Sequence, residues 1–264
     1  MGVRTSALVN VIVAAARKAA RGLIRDFGEV EHLQVSKKGP GDFVSAADHR
    51  VEEMLRRELG RARPAYSFLC EESGASAGSD AANVWVIDPI DGTTNFLHGI
   101  PHFAVSIALV REGEPVAGVV YQPLSDEMFW AEKGVGAYVN ERRLRVSARR
   151  KLEDAVVNTG VASPARPDCE RRLRQLGAVA AAAGSVRCLG SAALDLAYVA
   201  AGRCDAYWEA GVKAWDIAAG VLLVREAGGY VSEIEGGHAM LSSGSVLAAN
   251  DHLHLPLGTV LRSV

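Results

Sequence analysis

The sequence predicts a mixed α/β protein, of α/β or α+β type, with mixed sheets. Two amphipathic helical stretches open the chain, and short apolar segments separated by turn residues follow to about residue 150. Beyond that point longer helical blocks alternate with short strands. At 264 residues, 49% of them hydrophobic, the chain can bury a large core without a metal or disulfide to staple it.

Within residues 6–27 the apolar positions Leu8, Val11, Ile12, Ala15, Ala19 and Leu23 recur at helical spacing. Arg17, Lys18, Arg21 and Arg25 turn away from them, and Gly28 is the expected stop. Such a face packs on the protein's own sheet more often than on a membrane. Gly39-Pro40-Gly41 marks a turn. A second helix is expected from Ser45 through Val51, Met54, Leu55 and Leu59, closed by Gly60. Val84-Trp85-Val86-Ile87 reads as a short, fully apolar strand that ends in Asp88-Pro89. Residues 103–110, 116–121 and 128–132 follow as strands, and another strand pair is expected around 134–140. Helices are then expected over 171–183, 192–201 and 217–227, the last ended by Gly228-Gly229, with a strand over 246–249. The composition shifts near 148–170, which suggests an α+β part, 1–150, and an α/β part, 151–264.

The net charge is −2, and no nucleic-acid motif is present, so direct binding of nucleic acid is not expected. The cluster Arg142, Arg143, Arg145, Arg149, Arg150 and Lys151 reads as a solvated turn and linker. Cys70, Cys169, Cys188 and Cys204 show neither Cys-x-x-Cys pairing nor zinc spacing, which fits reduced thiols in a cytoplasmic protein. No run of 18 apolar residues and no secretory leader pattern is seen, so no membrane association is expected. Residues 1–6 fit the degenerate N-myristoylation pattern.

Chemistry concentrates in Trp85-Val86-Ile87-Asp88-Pro89-Ile90-Asp91-Gly92-Thr93-Thr94-Asn95-Phe96. Two carboxylates follow a buried strand and would repel each other unless a cation sits between them. A hard, oxygen-seeking ion such as magnesium suits them. Gly92 allows close backbone approach, and the N–H groups of Gly92 and Thr93 can receive a phosphate. Taken alone, an Asp-Pro-x-Asp-Gly run is equally an ordinary turn. Further acids flank it: Glu71-Glu72-Ser73-Gly74 upstream, Asp48 at the end of Asp42-Phe43-Val44-Ser45-Ala46-Ala47-Asp48, and Asp216 in Trp215-Asp216-Ile217-Ala218-Ala219-Gly220. Asp216 by itself reads as a helix N-cap.

Together these segments resemble the inositol monophosphatase family, within the wider group of metal-dependent, lithium-sensitive sugar phosphatases. The resemblance runs nearly end to end and is most specific over residues 85–96 and 215–229. It implies a layered αβαβα sandwich, a homodimer, two to three Mg2+ ions and a small phosphate monoester as substrate. Most metal ligands would lie in the first part of the chain, and the second part would complete the site. Glu71, Asp88, Asp91, Asp216 and the carbonyl of Ile90 would be metal ligands, with Glu72 supporting a third ion through water. Thr93 and Asp48 would orient and help deprotonate the attacking water. Glu209 and Ala192 would meet substrate hydroxyls, with Gly92, Thr93, Asp91 and Asp216 also at the substrate.

A phosphate monoester repels hydroxide, so its hydrolysis needs cations and alignment more than a nucleophilic side chain. The absence of a Gly-x-Ser-x-Gly elbow, a His-Glu-x-x-His motif and a Walker loop agrees with direct attack by water. None of the seven histidines has ligand spacing with the acids, and all are taken as non-catalytic. Two departures from the family stand out: Cys70 where many relatives carry glycine, taken as a small buried hydrophobe, and Lys37-Lys38-Gly39-Pro40-Gly41 where relatives close the metal site with a mobile loop. Inositol phosphate leads as substrate, because Thr93-Thr94-Asn95-Phe96 lacks the lysine that follows the first threonine in many nucleotidase and histidinol phosphatase relatives. Histidinol phosphate, fructose 1,6-bisphosphate and adenosine 3′,5′-bisphosphate are the alternatives. A role of another class, as regulatory partner of the transcription machinery, is reported for some bacterial relatives.

Overall fold

The computed structural model describes residues 5–29, 35–39, 42–160 and 168–264. Helix α1 (Ala7–Gly28) begins where the Ser6 hydroxyl oxygen accepts the Val9 N–H at 3.2 Å, satisfying one of the orphan donors of the first turn. Its buried stripe of Val9, Ile12, Ala15, Ala16, Ala19 and Leu23 is mostly small, so helix α2 (Ala46–Ala62) packs close beside it. An antiparallel ribbon of β1 (Val35–Gly39) and β2 (Asp42–Ser45) leads into α2. Pro40 and Gly41, on which the predicted turn and closing loop depend, lie outside the described residues, as do His32 and the first four residues of the myristoylation-like pattern.

Gly60 does not close α2. The helix continues to Ala62, and Arg63 still donates its N–H to the Leu59 carbonyl at 2.9 Å. Pro64 is the stop, because a residue before proline is pushed out of the helical region. A glycine inside a helix costs about 1 kcal/mol relative to alanine, less than the burial of one leucine recovers.

Strands β3 (Tyr66–Cys70), β4 (Gly74–Ser76), β5 (Asp80–Asp91), β6 (Ala104–Arg111), β7 (Glu114–Gln122), β8 (Glu127–Glu132), β9 (Gly136–Val139) and β10 (Arg142–Arg143) form one sheet. Its order is β10-β9-β8-β7-β6-β5-β3-β4, antiparallel except where β3 and β5 run parallel. The expected pair around 134–140 is in fact β9 with the two-residue edge strand β10, so Arg142 and Arg143 are exposed strand residues rather than linker. A second sheet joins β11 (Val156–Thr159), β12 (Ser185–Arg187), β13 (Ala206–Ala210), β14 (Tyr230–Ser232) and β15 (Ser245–Ala249) in the order β12-β11-β13-β15-β14. Its first three members are parallel and the rest antiparallel, so both sheets are mixed, as predicted.

The remaining helices are α3 (Thr93–Leu97), α4 (Cys169–Ala182), α5 (Ala192–Ala200), α6 (Ala214–Glu226), α7 (Met240–Ser243) and α8 (His254–Arg262). The period-2 alternation of β5 sorts the core. Trp85 and Ile87 turn toward α1 and α2, with Val105 and Ile107 of β6. Val86 turns the other way with Ala104 and Ala108, onto α5 and α6. The far side of those helices meets Tyr207, Val246 and Ala248 of the second sheet. Val157, Ala206, Trp208 and Leu247 cover its other face, with Val179 of α4 and Leu257 of α8. The result is five layers, αβαβα. A strand covered on both faces has no polar side, which is why residues 84–87 read as continuously apolar. No helix among the described residues is long and apolar enough to cross a membrane.

Candidate active site

Asp88 and Asp91 are three residues apart, and in a regular strand they would face opposite sides of the sheet. The structure removes that conflict with a bulge. Strand β5 does not end at Asp88-Pro89 but runs on to Asp91, with Asp88 opposite Ser106 and Asp91 opposite Ala104 of β6. Three steps on one strand match two on the other, so both carboxylates point to the α5 and α6 side. Pro89 has no N–H to give the ladder, and the extra residue falls there.

The ends of two helices receive these carboxylates. At the start of α5, Asp91 Oδ2 accepts from the Ser191 hydroxyl and, at 2.7 Å, from the Ala193 N–H; the Ala192 backbone lies beside it. Asp216 stands in the first turn of α6. It is not the N-cap, which is Lys213; it occupies the third helical position, where its Oδ2 accepts the Lys213 N–H at 2.7 Å. The helix starts three residues earlier than the apolar pattern suggests, because Ala214 and Trp215 are only partly buried. Ser106 donates to the Trp215 carbonyl at 3.1 Å and ties that first turn to β6.

One oxygen each of Asp88, Asp91 and Asp216 lie within 4.8 Å of one another. Glu71 adjoins them: it follows β3, whose Cys70 sits beside Ile87, and its N–H donates to the Ile87 carbonyl at 3.1 Å. Burial pushes Asp88 well above the usual carboxylate range, and the charges of Glu71, Asp91 and Asp216 push it further. Asp216 is raised by burial and then by Asp91. Burial also raises Asp91 to about 6, although the Ser191 and Ala193 bonds pull against it. The leading influences on these three acids are burial, one another's charges and those of Glu71 and Glu209, and hydrogen-bond donors. Three acids so close together, Asp88 and Asp91 buried and Asp216 partly so, fit a hard divalent cation, since every donor is oxygen and neither histidine nor cysteine is among them.

Thr93 opens α3. Its hydroxyl lies 3.4 Å from Asp48 Oδ1, the partner expected from the sequence, but donates at 2.9 Å to the nearer Ile90 carbonyl, a bond the sequence did not suggest. Asp48 is fully buried in the first turn of α2. Gly92 has φ +95°, and a Cβ there would come within 3.1 Å of both the Gly190 and His102 carbonyls, so glycine is required for shape as well as for conformation. Glu209, at the end of β13, accepts from the Tyr207 hydroxyl at 2.8 Å, and its charge helps to raise Asp91 and Asp216. Cys70 is wholly buried, with its thiol pushed up to about 11 chiefly by burial, in keeping with a packing role.

Two positioning residues escaped sequence reading. Glu52, 3% exposed, accepts the Glu72 N–H at 2.8 Å and the Ser73 N–H at 3.0 Å, which fixes the turn that carries Glu71 and Glu72. Its signal was the spacing 48, 52, 55, 59, which puts it on the buried stripe of α2. Buried Asn95 donates to the carbonyls of His102 and Leu189, each at 2.8 Å, and so holds the loop before Ser191 against α3. Nothing in the sequence pairs residues 95 and 189.

The sequence model described as "Inositol monophosphatase family" matches residues 5–262. An inositol-1-monophosphatase of Mesorhizobium japonicum is 58% identical over 246 residues, covering 93% of this chain and 92% of its own length. A Nus factor SuhB of Xylella fastidiosa is 48% identical, covering 88% of this chain and 83% of its own. Among solved structures, the extragenic suppressor protein suhB of Bartonella henselae superposes with a TM-score of 0.94 at 52% identity, covering 97% of this chain and 99% of that one.

Proposed function

The chain belongs to the inositol monophosphatase family, and on that premise we propose that it hydrolyses inositol monophosphate to inositol and phosphate with Mg2+ as cofactor. The activity class is that of a metal-dependent phosphoric monoester hydrolase. The observation that carries the reading is the meeting of Asp88, Asp91 and Asp216 within 4.8 Å, from two segments more than a hundred residues apart.

Glu71, Asp88, Asp91, Asp216 and the Ile90 carbonyl would hold two ions, and Glu72 would serve a third. When bound, such ions offset the charge of the phosphate and lower the pKa of a coordinated water. Thr93 and Asp48 would orient and help deprotonate the attacking water: Thr93 Oγ1 would take a proton from the water as its own hydroxyl proton passed to Asp48 Oδ1, 3.4 Å away. The Gly92 and Thr93 N–H groups face the phosphate, and Glu209 with the Ala192 backbone meets the hydroxyls of the alcohol portion. A homodimer and a cytoplasmic location complete the reading.

A phosphate-release assay tests it, run with Mg2+ on inositol 1-phosphate, histidinol phosphate, fructose 1,6-bisphosphate and adenosine 3′,5′-bisphosphate, with and without lithium. The inositol ester is expected to be turned over fastest and lithium to inhibit; preference for histidinol phosphate or the nucleotide overturns the substrate choice. The name of the Xylella relative favours a second role, as a regulatory partner of the transcription machinery. Cells that keep that function with Asp88→Asn, while phosphate release is lost, would separate the two roles.

A further inference from the structure

Glu209 sits among acids. Its charge raises Asp91, Asp195 and Asp216, and the repulsion it feels in return would swing a loosely held side chain out of the cleft. Two donors oppose that movement. Tyr207, two residues earlier on β13 and so on the same face, gives its hydroxyl to Glu209 Oε2 at 2.8 Å and is itself completely buried. On the other side Arg172 of α4, with only 9% of its side chain exposed, brings Nη2 to 3.9 Å from Glu209 Oε1. That Nη2 is buried and has no hydrogen-bond partner among the described residues, while Nε of the same guanidinium is anchored 3.3 Å from Asp168 Oδ2. The cavity between them, walled by Thr159, Gly160, Leu176 and Trp208, has a volume of about 10 Å³, room for one water at most. Burying an unpaired guanidinium N–H is costly, and here its direction accounts for it. The cation offsets the carboxylate and draws Oε1 to one side while Tyr207 holds Oε2.

We infer that Arg172 and Tyr207 are positioning residues that hold the Glu209 carboxylate as a fixed acceptor for a hydroxyl of the substrate alcohol, and so set a preference for polyol phosphates over esters that lack such hydroxyls. The inference rests on the reading of Glu209 as a hydroxyl contact. A fixed, charged acceptor discriminates because an ester without the hydroxyl covers it with no donor of its own to replace the water it displaces. A floppy one would let water in.

The test compares inositol 1-phosphate with p-nitrophenyl phosphate in the wild type and in Tyr207→Phe, Arg172→Met, Arg172→Lys and Glu209→Gln, with a thermal melt of each. In Tyr207→Phe and Arg172→Met, KM for the inositol ester should rise about tenfold, kcat should hold, and p-nitrophenyl phosphate kinetics should stay within about twofold. Arg172→Lys should restore part of the preference. A loss shared equally by both esters, or selectivity unchanged in both variants, overturns the inference. Glu209→Gln separates the two levels. If it abolishes the preference and the other variants do not, only the clamp fails; if it leaves the preference intact, the placement of Glu209 at the substrate fails. Should Arg172→Met not fold, Tyr207→Phe, which removes a single oxygen atom, carries the result.

Discussion

Asp91 holds its proton to about pH 6, roughly two units above an ordinary aspartate, because it is buried beside other acids. Between about pH 4 and that value the folded, metal-free protein binds a proton that the unfolded chain has already released, so stability falls as pH rises through the window. A cation takes the place of that proton. Mg2+ is therefore expected to raise Tm little at about pH 5 and clearly at about pH 8, read by calorimetry with EDTA as the reference; an equal rise at both would contradict the account. The same logic gives Asp88→Asn two opposite effects. Turnover should drop at least about a hundredfold, while the metal-free variant melts higher than the metal-free wild type because one repelling charge is gone. Asp216→Asn should likewise lose turnover and keep its fold. Thr93→Ala should lower kcat more than it raises KM, as expected for a group that acts on the attacking water.

At the scale of the element, two contacts decide how the acids are presented. Glu52 links α2 to the 71–73 turn, and Glu52→Ala would leave two turn N–H groups without their acceptor. The cost is about 1–3 kcal/mol in urea denaturation, with a weaker Mg2+ response because Glu71 loses its fixed turn. Gly220 shows which of two opposing effects prevails. Alanine is the better helix former by about 1 kcal/mol, but a Cβ at Gly220 would lie 2.5 Å from Leu196 Cβ on α5. Leu196 is fully buried, and its Cβ cannot swing aside. Overpacking of that kind costs about 1–3 kcal/mol, so Gly220→Ala should destabilise, and a rise in the denaturation midpoint would show that α5 and α6 can separate.

Across the whole molecule, the site lies where the layers meet. Asp88 and Asp91 come from the eight-stranded sheet, Asp216 and Ser191 from the helices between the sheets, and Glu209 from the five-stranded sheet. Mg2+ held by Asp88, Asp91 and Asp216 would join the eight-stranded sheet to the helices packed between the sheets and stabilise the folded state alone, by about 2.7 kcal/mol at a hundredfold excess over Kd. Urea unfolding followed with and without saturating Mg2+ should therefore shift as one transition seen equally by Trp85 of the first sheet and Trp208 of the second. Two separating transitions would mean that the ion ties together only one of them.

The sequence by itself determined the class of fold and the buried stripes of α1 and α2, and singled out Asp88, Asp91 and Asp216, which the structure brings together, because periodicity and residue type are local properties. It also carried the family resemblance, since Asp88-Pro89-Ile90-Asp91-Gly92-Thr93 and Trp215-Asp216 are contiguous motifs. Tertiary structure decided the rest. The bulge that turns Asp88 and Asp91 to one side depends on pairing with β6, and the third-position seat of Asp216 on packing around Trp215. Tyr207 meets Glu209 two residues on, but Glu52 depends on a partner 20 residues away, Asn95 on one 94 residues away, and Arg172 reaches Glu209 from another element. A side chain's charge and shape are written at its own position, whereas its burial and its neighbours are set only when distant segments close around it.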